Sequence, residues 1–236
     1  MARRILVGTT NPSKVIWLKD YLSTLPEIEC VTLNDLGVTV SVPEEGRTPE
    51  ENARIKALAY HEATGLAVIA HDSGLFFQEF PMGDPRQPGL FIRRVNGKIL
   101  DDDGMLAHYS KLAQDYGPLH ACYCSGFAAV DEKGRVETFA QDRLDDQEYF
   151  STFGFLMVAQ PHKLRRPGWP LDSLSQDPNT GEYWYDQDGG RNTITESDYS
   201  RNYRQNVNHF FTNFFRTSKT NRLLFPITGP YWFRRG

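Results

Sequence analysis

The chain has no framework of paired cysteines. Cys30, Cys122 and Cys124 are its only three, and they form no CxxC pair, which argues against a disulfide scaffold or a thiolate metal site and favours a reducing compartment. Long apolar runs are also missing. Arg3 and Arg4 precede Ile5-Leu6-Val7, but Gly8 ends that stretch, far short of a signal peptide's hydrophobic region. No segment approaches the roughly 20 apolar residues of a membrane span, so the expectation is a cytoplasmic protein with no membrane partner. Nor is there a surplus of positive charge: 26 Lys and Arg against 30 Asp and Glu leave a net charge of −4. Gripping a nucleic acid polymer takes many cationic contacts with phosphate, and this balance argues against it. A small polyphosphate needs only a few local cations, a helix N-terminus and a metal. There is no internal repeat and no low-complexity tract.

What is present is enough chain for one substantial core, 236 residues, with an aromatic excess at 13%. The expectation is a single α/β domain over residues 1–236. From residue 161 to about 190 the composition shifts to Pro, Gly, Trp, Asp and Asn, which predicts an insertion or long loop; residues 216–236 form a basic, aromatic extension with Arg216, Lys219, Arg222, Arg234 and Arg235. Ile5-Leu6-Val7 is a short buried strand, and a helix follows to about residue 25, with Asn11 suited to the N-cap and Pro12 to the first helical position. Residues 28–33 and 38–42 predict further strands. Thr48-Pro49-Glu50-Glu51 opens a second helix with a capping-box pattern, ending near Gly65. Leu66 to Ala70 predict an apolar strand running into His71-Asp72-Ser73-Gly74 and then a short strand at residues 75–77. Residues 120–130 and 135–142 predict a hairpin, so the sheet is mixed and its ligands are expected beyond strand ends. Tyr203, Val207, Phe210, Phe211, Phe214 and Phe215 recur at helical spacing and mark one apolar face.

Three constellations could carry chemistry. In Thr9-Thr10-Asn11-Pro12-Ser13-Lys14 a strand end, hydroxyls, a helix N-terminus and a lysine converge as a phosphate site requires, although the same residues suit a plain capped helix. Glu44-Glu45-Gly46 precedes the helix bearing Asn52 and Lys56: a carboxylate there can hold magnesium and Lys56 can lean towards a phosphate, or the acids simply face the helix dipole. Asp72-Ser73-Gly74 offers a metal ligand or general base at a strand end, or a turn.

All three occur in order, and together they resemble the inosine triphosphate pyrophosphatase family. Thr9-Thr10-Asn11-Pro12-Ser13-Lys14 is similar to its T-G-N-x-x-K signature. The segment from Glu44-Glu45-Gly46 through Thr48, Glu51-Asn52-Ala53 and Lys56-Ala57 is similar to E-x-G-x-T-x-x-E-N-A-x-x-K-A. Ala70-His71-Asp72-Ser73-Gly74-Leu75 resembles A-D-D-S-G-L, and Pro88-Gly89 with Arg94 resembles P-G-x-x-S-A-R. The resemblance implies a mixed central sheet flanked by helices, and Mg2+-dependent hydrolysis of a nucleoside triphosphate to monophosphate and pyrophosphate. The default substrate is inosine, deoxyinosine or xanthosine triphosphate, removed from the nucleotide pool. It further implies that Lys14, Lys56 and the turn at Thr9, Thr10 and Asn11 hold the triphosphate, that Glu44 binds magnesium, that Asp72 binds metal or activates water, that Ser73 and Arg94 touch substrate, and that the enzyme is a homodimer.

The chain departs from the family in places. His71 stands where the family has an acid, and a histidine there can donate to phosphate or accept a proton. The G-F-G-Y-D-P segment is echoed only by Thr152-Phe153-Gly154-Phe155-Leu156-Met157, where Phe153 could stack on a base while Leu156 replaces the aspartate. The S-H-R segment is matched by Arg204 after Asn202-Tyr203, or by Ser200-Arg201. Loss of those polar groups predicts changed or relaxed base selection, with Trp169, Trp184, Tyr185 and Tyr203 as either a rebuilt base site or core. Two further readings stay open: the same chemistry on a different or modified base, and a catalytically weak nucleotide-binding protein.

Overall fold

The computed structural model describes residues 2–23, 25–140, 147–187 and 198–217. In chain order they form β1 (Arg3–Val7), α1 (Pro12–Leu22), β2 (Ile28–Thr32), α2 (Pro49–Thr64), β3 (Ala67–Phe77), the small hairpin β4 (Arg94–Val95) and β5 (Lys98–Ile99), α3 (Asp102–Tyr116), β6 (Leu119–Val130), β7 (Val136–Phe139), α4 (Gln147–Phe153), β8 (Phe155–Met157), a 3-10 turn (Pro170–Leu174), β9 (Ser175–Gln176) and α5 (Asp198–Thr217). The fold is mixed α/β. A seven-stranded sheet runs β2-β1-β3-β6-β8-β9, with β7 also on β6; β1 is parallel to β2 and β3, and the pairs from β3 onward are antiparallel. No described helix is long and apolar enough to cross a membrane.

Strand alternation sorts the side chains into separate cores. Ala67 and Ile69 of β3, with Phe127 and Ala129 of β6, pack under α1 and α5. Val68 and Ala70, with Ala128 and Val130, pack under α2. Past Asp72 and its partner Gly126 the assignment reverses: Phe76, Cys122 and Cys124 join the α1/α5 core, while Leu75, Phe77, Leu119 and Ala121 join a third core beneath α3 and the 3-10 turn. The long β3/β6 ribbon therefore coils, and residues 71–74 lie where the three cores meet. On α5, Tyr203, Val207, Phe211, Phe214 and Phe215 are buried as their spacing requires.

Several expectations change. Residues 38–42 carry no strand; Val38, Val40 and Val42 instead lean on the α2 core as irregular chain. Residues 71–74 are the interior of an eleven-residue strand, because β6 supplies a continuous ladder opposite them and overrides the local preference of Asp, Ser and Gly for turns. α1 stops at Leu22, short of residue 25. Within 161–187, the 3-10 turn and β9 are joined to the sheet through β8. Residues 218–236, with Lys219, Arg222, Arg234 and Arg235, lie outside the described residues.

Gly126 is a point of close approach between layers. A methyl group at this position would overlap the backbone of Pro49 and Glu50, so the start of α2 rests directly on β6 opposite Asp72. We predict that Gly126→Ala destabilises the protein by about 1–3 kcal/mol, read as a lower denaturation midpoint with an unchanged slope.

Candidate active site

β1 ends at Val7, and Gly8 donates to Ile69 O at 2.7 Å. The Tyr60 ring and Val68 close over Gly8 with no room for a side chain. The chain then leaves the sheet. Asn11 N donates to Thr9 Oγ1 at 3.2 Å, and Asn11 Oδ1 accepts from Lys14 N at 3.4 Å, so Asn11 caps α1 as its residue type favours. β3 continues for eight residues beyond Ile69, and with β1 gone its edge is open beside residues 71–74. A cleft of about 300 Å³ occupies that gap. Side chains from both faces of β3 reach it.

On one face, Thr48 caps α2 by accepting from Glu51 N at 3.1 Å, while Glu51 Oε2 accepts from Arg47 N at 2.6 Å, one residue before the expected capping-box partner. This fixes the first turns of α2 above β3. Asn52, only 1% exposed, accepts from Gly46 N at 2.8 Å and donates to Asp72 Oδ2 at 2.9 Å. One turn later Lys56 Nζ lies 2.7 Å from Asp72 Oδ1 and 2.6 Å from Glu44 Oε1. Arg94 Nη2 is 3.6 Å from the other Glu44 oxygen. Burial opposes the charge on Lys56, but Asp72 and Glu44 outweigh it and hold the ammonium above its ordinary pKa. Burial likewise raises Glu44, and Lys56 with Arg94 and Lys14 overcomes it and keeps the carboxyl below the usual range.

On the other face, His71 is 5% exposed. Its ring meets Trp17 edge-on at 4.8 Å and Phe127 at 5.0 Å, and both ring nitrogens are enclosed with no hydrogen-bond partner among the described residues. Burial first, then Lys14 and Lys56, hold the imidazole well below its ordinary pKa, which favours the neutral ring. Lys14 stands beside it in the cleft. Burial is the main cause that pushes the Lys14 ammonium down to about 8, with Asp72 and Glu44 working the other way.

Of the residues singled out from the sequence, Thr9, Thr10, Asn11, Lys14, Glu44, Lys56, Asp72, Ser73 and Arg94 all line this cleft. Phe153 and Arg204 do not. The Phe153 ring lies against Tyr149 at 5.0 Å and Tyr203 at 5.1 Å, drawn to the aromatic face of α5. Arg204 is exposed one residue after buried Tyr203, and the helical turn between the two aims it at solvent. Trp184 packs on Phe155 at 4.7 Å, Tyr203 is core, and Tyr185 lies beside His162 at 5.4 Å. Among the four aromatics considered for a base site, Trp169 alone lines the cleft. It does so with Leu90, Phe91, Ile92, Met105, Tyr123 and Leu171, an apolar wall that sequence reading missed apart from Trp169.

The role of Asn52 was also missed, although its one-turn spacing from Lys56 signals a shared face. Gly126 was missed too, although a glycine inside an apolar strand signals a close backbone approach. Glu44 and Asp72 can contribute to a divalent cation together with substrate oxygens, since magnesium commonly takes one or two carboxylates and completes its shell with water and phosphate. No group of three or more His, Cys, Asp or Glu side chains able to hold a metal occurs among the described residues.

The chain is similar to known proteins. The model of the Ham1 family matches residues 5–146. Relatives include the dITP/XTP pyrophosphatase of Thermoanaerobacter pseudethanolicus, 36% identical over 95 residues, covering 40% of this chain and 46% of the relative. The dITP/XTP pyrophosphatase of Leptospira interrogans is 31% identical over 153 residues, covering 61% and 74%. The chain thus spans about half the length of the first of these relatives. Among solved structures, the Staphylococcus aureus Ham1 protein superposes with a TM-score of 0.62 at 19% identity, covering 92% of this chain and 100% of that one. The nucleoside-triphosphatase / dITP/XTP pyrophosphatase of Mycobacterium abscessus gives 0.58 at 24%, covering 81% and 93%. These two likenesses bear on the fold.

The depressed pKa of Lys14 makes a stability prediction. Below about 8 the folded protein carries this partly buried charge at a cost; as pH rises from there towards the unfolded value of 10.5, the folded state sheds the proton first and stability rises. Lys14→Met should therefore stabilise the ligand-free protein at pH 7 by on the order of 1 kcal/mol. The gain should shrink between pH 8 and 10, as followed by urea denaturation across that range.

Proposed function

The chain belongs to the Ham1 family, and from that premise we propose that it hydrolyses a nucleoside triphosphate to monophosphate and pyrophosphate in a magnesium-dependent reaction, with non-standard purine triphosphates as default substrates and nucleotide-pool cleaning as its role. The observation that carries the proposal is the convergence of Glu44, Lys56 and Asp72 on the same cleft as Lys14 and the capped start of α1. Cations and helix amides facing two carboxylates suit a polyphosphate that must be held and attacked by water. The names of the relatives, dITP/XTP pyrophosphatase, support the same substrate class.

A magnesium ion bound through Glu44 and Asp72 would supply neutralisation of the charge that builds on the departing pyrophosphate. The protein's own groups divide the remaining work. Lys14, Thr9 and the first turn of α1 hold phosphate oxygens from one side of β3. Lys56 meets the triphosphate from the other. Asn52 fixes one oxygen of Asp72, and each carboxylate oxygen retains a further lone pair, so Asp72 can accept the proton of the attacking water. The new oxygen–phosphorus bond forms at the α-phosphorus as the bond to pyrophosphate breaks. No covalent enzyme intermediate is needed, and the buried Cys122 and Cys124 take no part.

The apolar wall with Phe91, Tyr123 and Trp169 supports holding the base by stacking. Stacking tolerates every base, whereas reading a purine edge needs buried polar partners. We therefore infer shallow selection among purines, less than about 100-fold in kcat/KM between inosine, xanthosine and adenosine triphosphates.

Purified protein offered each triphosphate with and without Mg2+ should release pyrophosphate and monophosphate only with the metal; binding without turnover would favour the weak-binder reading. Asp72→Asn should lower kcat at least about 100-fold, the scale of a lost general base, with near-normal activity removing Asp72 from the mechanism. Trp169→Ala should raise KM for all bases together by roughly tenfold while leaving pyrophosphate inhibition unchanged, measured by steady-state kinetics.

A further inference from the structure

The buried imidazole of His71 has no counterpart in the roles described so far. Both of its nitrogens are enclosed and without a hydrogen-bond partner among the described residues, an arrangement that costs stability wherever a polar group is sealed in an apolar setting. Its ring packs against Trp17 of α1 and Phe127 of β6, and neither hydrogen-bonds to it. Yet the side chain belongs to the lining of the cleft, next to Lys14.

Strand geometry says which part of a ligand it can serve. His71 and Asp72 are consecutive on β3 and point to opposite faces: Asp72 towards Asn52 and Lys56 of α2, His71 towards α1. The two cannot close on one metal ion from opposite sides of the strand. His71 instead shares its face with Lys14 and the capped first turn of α1, where amide hydrogens and an ammonium already favour an anion.

Resting on the triphosphate reading above, we propose that His71 is a phosphate-binding residue, donating an imidazole N–H to the phosphate group held by Lys14 and the first turn of α1. Trp17, 37% exposed, forms the outer wall of the ring's pocket. A turn of the imidazole about its side-chain bonds exchanges that contact for a charge-assisted hydrogen bond, which ligand binding supplies and the free protein lacks. His71 is thus a substrate-binding group on the α1 side of the site, separate from the carboxylates that serve the metal and the water.

The test uses the full chain and inorganic tripolyphosphate, a probe with no base and no turnover requirement, titrated calorimetrically with and without Mg2+. His71→Leu should raise the melting temperature of the ligand-free protein, since it removes the unsatisfied group. It should also weaken tripolyphosphate binding by roughly tenfold or more, by the same factor in both metal conditions. His71→Gln, which keeps an N–H donor, should retain most of the affinity. Equal binding by wild type and His71→Leu overturns the assignment. So does a lower melting temperature of the leucine variant, or a loss confined to the Mg2+ titration, which would place His71 at the metal instead. Wild-type protein that binds no tripolyphosphate in either condition overturns the triphosphate reading itself.

Discussion

One ammonium, that of Lys56, lies between two carboxylates from distant parts of the chain, and most of the surrounding architecture serves to hold that bridge. Breaking such a part-buried pair by removing one partner leaves an uncompensated charge, which is far more costly than the net gain of having the pair. The arrangement therefore demands support. Asn52 ties the loop bearing Glu44 to Asp72, the Thr48 cap sets the axis of α2, and the bare backbone of Gly126 lets that helix sit close enough for Lys56 to reach. The groups come from three segments, and the coiled β3/β6 ribbon brings them together.

How much of this was legible follows from where each signal lies in the chain. The phosphate side was readable because its parts are local: strand end, Asn11 cap and Lys14 lie within eight residues, and α2 announces itself through Thr48, Pro49 and Glu51. Asp72 was identified as a site residue from its motif, but its setting was misread. Asp-Ser-Gly suits a turn, and only the ladder opposite, set by residues some fifty positions later, makes it strand. The same dependence hid the apolar wall, since Tyr123 and Trp169 reach the cleft through tertiary packing that no short window contains. Phe153 erred in the opposite direction: a motif echo suggested a ligand contact, and the unsatisfied aromatic face of α5 claimed the ring.

The two faces of β3 also separate two kinds of demand. On the α2 side Asn52 and Lys56 bond to Asp72 and link it to Gly46 and Glu44. On the α1 side the cleft carries a lysine with a depressed pKa and an imidazole with no hydrogen-bond partner among the described residues, both suited to a bound anion. Stability is held back where a ligand can supply it.

That asymmetry has an electrostatic consequence for approach as well as binding. The chain is acidic overall, at −4, yet the cleft lining sets Lys14, Lys56, Arg93 and Arg94 against Glu44 and Asp72. A local positive field inside an acidic envelope is focused by the low-dielectric walls around it. It decays outside the mouth within a Debye length, about 8 Å at physiological salt. Capture is thereby favoured for compact, highly charged anions small enough to place most of their charge inside that range, and added salt slows their arrival before it disturbs anything already seated.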